Sequence, residues 1–97
     1  MDRITVKTLR AMAQNLNRMT GSPMIAYVRE GDRNVAQVGH YFIDCAYSGY
    51  QLARMYNGAG GQSAPLGLGF GTARETYNKI HAYMAGLHDA EHVKKAA

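Results

Sequence analysis

The chain contains a single cysteine, Cys45, in 97 residues. One thiol excludes an intrachain disulfide, and no second cysteine completes a CxxC metal or redox pair. A reducing, cytosolic setting is expected. Long apolar runs are missing as well. None approaches the ~20 residues that a helix needs to cross a bilayer, and the opening MDRITVKTLR lacks the apolar stretch of a signal peptide. Acid is scarce: seven Asp and Glu stand against eleven Lys and Arg, for a formal net charge of +4. That excess falls short of a dedicated nucleic-acid tail, but acid is wholly absent between Arg3 and Arg29.

Apolar residues make up 46% of the chain, the proportion of a globular protein. The length suits one core, expected over residues 1–87, with residues 88–97 a frayed C-terminal tail. Residues 5–20 carry Val6, Leu9, Met12, Ala13, Leu16 and Met19 at steps of three and four, a helical stripe. Thr5 is the expected N-cap, and GSP at 21–23 ends the helix. MIAYVRE (24–30), followed by the turn cluster GDRN, reads as a strand.

HYFIDCAYSGYQLARMYN (40–57) reads as a hairpin turning at Ser48-Gly49, because a two-residue reversal needs positive φ. That turn pairs Tyr47 with Tyr50, Cys45 with Leu52, Ile43 with Arg54 and Tyr41 with Tyr56. This face is the more apolar, so it is expected to pack on the helices, with Cys45 turned inward as an inert thiol. In TARE, Thr72 and Glu75 form a capping box, and Ala73, Tyr77, Ile80, Tyr83, Met84 and Leu87 continue at helical spacing. The order predicts an α+β fold: a small two-layer domain with an antiparallel sheet of about three strands and the N- and C-terminal helices on one face.

Six glycines occupy residues 57–71. A P-loop requires Lys before the Ser or Thr, and Gly71-Thr72 has none. A dinucleotide fingerprint requires GxGxxG followed by a second parallel strand; GAGGQS and GLGFGT both break the pattern. An anion at the helix start would compete with Thr72 and Glu75 for the same donors. What remains is a long loop, residues 58–71, offering Leu68 and Phe70 as contacts. HDAEH at 88–92 matches HxxEH, but its place near the chain end favours adventitious metal binding over a catalytic zinc. Neither His40 nor His81 makes a convincing base for Cys45. No catalytic residue, metal or cofactor is therefore expected.

On the polar side of the first helix, Lys7, Gln14, Asn17 and Arg18 join Arg10 in a basic stripe with no interleaved acid. A solvated helix usually mixes its charges. The stripe suits phosphates or an acidic protein surface, and a merely solvated face is the plain alternative. Five of the seven tyrosines lie in the expected strands, where packing or a protein interface explains them better than base stacking.

YSGYQLARMYNGAGG (47–61), followed by ARETYNKIHAYMAGL (73–87), resembles small accessory proteins of tailed phages and prophages. The resemblance implies a compact protein that binds a host complex, in the manner of the inhibitors of bacterial defence called anti-CRISPRs. Together these readings predict a non-enzymatic protein-binding domain. Its expected contacts are Lys7, Arg10, Arg18, Arg54, Leu68 and Phe70, with an exposed hairpin edge that would also allow a homodimer. The alternative is a weak nucleic-acid binder that uses the basic face of the first helix.

Overall fold

The computed structural model describes residues 3–67 and 69–96, with side chains through Glu91. The fold is α+β, with two helices and two antiparallel sheets. Helix α1 spans Val6–Thr20. Thr5 caps its start by accepting from the Thr8 N–H at 3.3 Å. Its end is a Schellman closure: Gly21 sits at φ +71°, and the Ser22 N–H donates to the Asn17 carbonyl at 2.8 Å. Pro23 then prevents continuation.

The strand expected within 24–30 forms over its second part, and a strand that the sequence did not announce follows the turn. Strand β1 (Tyr27–Glu30) pairs with β2 (Arg33–Ala36), and the chain reverses at Gly31 with φ +64°. The polar residues of 29–34 disguise the second strand, since both strands are largely exposed and lack an alternating apolar signal. This pair is a sheet of its own.

The second sheet has the order β3-β4-β5, with β3 at Tyr41–Ala46, β4 at Gly49–Met55 and β5 at Gln62–Ser63. Its hairpin turns at Tyr47-Ser48, not at Ser48-Gly49; both turn residues have positive φ, +53° and +59°. The pairs are therefore Cys45 with Tyr50, Ile43 with Leu52 and Tyr41 with Arg54. The reason lies outside the hairpin. A Cβ at Gly49 would lie 3.0 Å from Phe70 Cβ and 3.1 Å from the Gly71 oxygen. Gly49 thus provides close approach for another piece of backbone, and the turn falls on its neighbours. Each residue's partner moves by two positions, so the same side chains still face the helices.

Helix α2 runs Ala73–Ala96, continuing past Leu87, where the tail was expected to begin. Its capping box forms as the TARE spacing predicts: the Glu75 N–H donates to Thr72 Oγ1, and the Thr72 N–H donates to Glu75 Oε1, each at 3.1 Å. Leu9, Ala13 and Leu16 of α1, Tyr41, Ile43 and Leu52 of the sheet, and Ile80 of α2 make the core. Each large aliphatic side chain buried there is worth roughly 1.5–3 kcal/mol. Cys45 lies on the same sheet face but beyond the core, and it is exposed, contrary to the inward placement expected for it. Ala53 and Met55, on the opposite face, are buried too. The chain leading into β3 is joined to the far end of β4 and the residues after it: the Gly39 N–H donates to the Met55 carbonyl, and the Ala36 N–H to that of Gly58.

Candidate interaction surface

Lys7, Arg10, Gln14 and Arg18 are exposed on α1, and its first turn holds no acid. The Arg18 guanidinium donates to Asn15 Oδ1 at 2.9 Å, a contact on the same exposed surface. Asn17 leaves the stripe in which the sequence placed it. It is fully buried, because it lies four residues after Ala13 and eight after Leu9, within the inward sector of the helix.

Burial is tolerated because every polar atom of the Asn17 amide is engaged. Oδ1 accepts from the Tyr41 N–H at 2.7 Å. Nδ2 donates to the Tyr41 carbonyl at 3.0 Å and to Gln14 Oε1 at 2.9 Å. The amide thus takes the place of a neighbouring strand's peptide group on the outer side of β3. With both Nδ2 hydrogens used, His40 Nδ1, 3.3 Å away, has its better partner in the Pro23 carbonyl at 2.8 Å. Nδ1 is therefore assigned as the donor to Pro23. His40 is buried and stacks on Phe42 with nearly parallel rings.

Beside Asn17 opens a groove of about 340 Å³. Arg10, Ala13 and Gln14 form one wall, residues 24–26 form the other, and His40 with β3 from Tyr41 to Ile43 is the floor. A hydrogen bond from Gln14 Nε2 to the Met24 carbonyl, 3.1 Å, ties the walls together. Met24 and Ile25 are exposed large apolar side chains at the rim. Met24 and Ile25 did not stand out in the sequence, and His40 did so only as a rejected base, because the groove joins three segments that are distant in the chain.

The remaining residues singled out from sequence lie elsewhere. Arg54 packs its guanidinium 4.5 Å over the Tyr41 ring and donates from Nε to the Gly39 carbonyl at 3.1 Å, so it is engaged within the fold. Phe70 makes an edge contact with Tyr47 at the hairpin tip, with centroids 5.7 Å apart. Leu68 lies outside the described residues. Thus Lys7, Arg10 and Arg18 share one helix surface, and Arg54 and Phe70 do not join them.

The glycine-rich loop has a clear mechanical task. Gln62–Ser63 pairs with Met55 and Arg54, and Gly71 exchanges two 2.9 Å hydrogen bonds with Tyr50. Between these ties the Gly69 N–H donates to Gln51 Oε1, and Leu66 packs on the core. The segment is a strap along the outer edge of β4, a cover of the kind that removes an exposed strand edge. The start of α2 is closed by its own capping box, which also holds the Glu75 carboxyl below its usual range through the hydrogen bonds from Thr72.

Among the described residues, no three His, Cys, Asp or Glu side chains gather in a way that could hold a metal. His81 stacks on Tyr77 of α2, and the side chain of His92 lies outside the described residues. No helix among the described residues is long and apolar enough to cross a membrane. Comparisons of the chain with protein-family models, with curated proteins and with solved structures gave no match.

Proposed function

We propose that this chain is a non-enzymatic protein-binding domain that acts through the outer surface of α1 and the adjoining groove. The observation that carries the reading is the junction of Arg10 with that groove, which sets a cationic side chain across from exposed Met24 and Ile25. Mixed apolar and charged surfaces of this kind suit recognition of a protein more than of a uniform polyanion. The biological setting, a phage-encoded modulator or inhibitor of a host defence complex, rests on the resemblance of residues 47–61 and 73–87 to phage accessory proteins.

The test is a tagged pull-down from bacterial lysate with and without nuclease, comparing the native chain with an Arg10→Glu, Arg18→Glu variant. A stoichiometric protein that survives nuclease and is lost from the variant supports the reading. Retention of the same protein by the variant removes α1 from the interface. The second reading, a weak nucleic-acid binder, draws on the acid-free row of Lys7, Arg10 and Arg18. It requires recovery that disappears with nuclease, and affinity that falls with salt at a logarithmic slope of about 0.9 per phosphate contacted on duplex DNA.

A further inference from the structure

We propose that the outer edge of β3 takes an extended acidic segment of a partner protein as an added strand, lying in the groove between α1 and residues 24–26 and displacing the exposed hydrogen bond from Gln14 to the Met24 carbonyl that spans it. The proposal rests on the protein-binding reading above and names the occupant.

Backbone groups on a strand alternate between its two edges. The Tyr41 N–H and C=O point outward, since Asn17 engages both. Ile43 and Cys45 therefore present theirs on the same edge, and neither finds a backbone partner there among the described residues. The other edge of the sheet is covered, with β5 and Gly71 lying along β4. The sheet thus has one open edge. Asn17 closes its beginning and supplies the hydrogen bonds that a next strand would supply.

Charge and shape select the occupant. Arg10 precedes Asn17 by two helical turns on the same side of α1, roughly 10 Å along its axis. Ile43 follows Tyr41 by two residues, roughly 7 Å along β3. Arg10 and Ile43 accordingly line the same groove, and Lys7 stands one turn further toward Cys45. Side chains of an added strand would alternate between the α1 wall and the wall of residues 24–26. The first wall offers Arg10 and the second offers Met24 and Ile25, exposed by 37% and 59%. An alternation of acidic and apolar β-branched residues matches both. A second copy of this chain matches poorly, because edge-to-edge pairing would bring two sets of Lys7 and Arg10 together in chains that each carry +4.

The experiment titrates the intact isotope-labelled chain with an end-blocked octapeptide of alternating glutamate and valine, up to about 1 mM, the weak end of specific recognition. NMR shifts are expected on Tyr41, Ile43, Cys45 and Arg10, with the Ile43 and Cys45 amides gaining protection from exchange. Two variants are compared, Arg10→Glu and Cys45→Pro. Proline is tolerated where a strand N–H faces outward, but it obstructs an added strand; Cys45→Ser and the unchanged dispersion of core signals control for folding. Each variant is expected to weaken binding about tenfold or more. A peptide of alternating lysine and valine should not bind. Absence of shifts with the acidic peptide, or equal binding by the folded Cys45→Pro variant, overturns the proposal. If the pull-down meanwhile recovers a protein that the Arg10→Glu, Arg18→Glu variant loses, the protein-binding reading stands and only the added strand falls. Without such a protein, both fall.

Discussion

The Tyr41 hydroxyl lies 3.0 Å from the Tyr83 hydroxyl, joining β3 to α2 by the only polar atoms of two aromatic side chains. Burial, the hydrogen bond and repulsion from a second phenolate push the Tyr41 pKa from 10.0 up to about 12, partly opposed by Arg54. The folded state holds this proton more tightly than the unfolded chain does. Its contribution is whole below pH 10 and drains away as the pH rises from 10 through about 12. Denaturant titrations across that window should show stability falling with pH, and Tyr41→Phe should flatten the slope. An unchanged slope in the variant would assign alkaline loss to other groups.

Removal of the Asn17 amide should be among the most damaging polar changes in the protein. Asn17→Leu leaves the outward N–H and C=O of Tyr41 without their partner. Each unsatisfied buried group costs roughly 1–3 kcal/mol. Urea unfolding should register a loss of about 2–6 kcal/mol, against little change for Asn15→Leu on the exposed side of α1.

Two glycines should respond in opposite directions to alanine. At Gly49 the new methyl meets Phe70 Cβ and the Gly71 oxygen, and that oxygen is held by the Tyr50 N–H. Gly49→Ala should cost about 1–3 kcal/mol and loosen the Tyr50 and Gly71 amides in hydrogen exchange. Gly86 lies within α2 with nothing within 4 Å of the new methyl. Gly86→Ala should stabilise by about 0.5–1 kcal/mol, read as a higher thermal midpoint.

Acid should weaken the start of α2. The hydrogen bonds from Thr72 keep the Glu75 carboxyl below its ordinary value of 4.5. The folded state thus favours the carboxylate; its contribution is present above pH 4.5 and is lost as the pH falls through the lower folded value. Glu75→Gln should remove this part of the acid dependence. Thr72→Ala should cost about 1 kcal/mol at neutral pH, as measured by helicity and denaturant midpoint.

Helix-capping signals reported local structure faithfully. Thr5, Gly21 and the Thr72–Glu75 box marked helix boundaries because capping is settled within one turn of chain. The inward face of β3 and β4 was legible from alternation alone. What escaped was decided at a distance. Asn17 reads as surface until its amide meets Tyr41, and Arg54 reads as a free cation until it meets the Tyr41 ring. Gly49 reads as a turn residue until Phe70 arrives beside it. The β1–β2 hairpin carried too few buried side chains to announce itself, and the groove has no counterpart in any continuous stretch.

Gly49 also gives the strap a role in the timing of folding. A turn at Ser48-Gly49 and the observed turn at Tyr47-Ser48 bury the same side chains, so hydrophobic collapse alone does not choose between them. Local hairpins close before contacts far apart in the chain. The bridge between Tyr50 and Gly71 spans more chain than the β3–β4 turn, so it is expected to close after that turn does. A misaligned hairpin displaces Gly49 and puts a side chain where Phe70 must dock. The strap therefore tells the two alignments apart: it fits against the bare backbone of Gly49 in the observed pair, and a slipped pair would set Gln51 in that place.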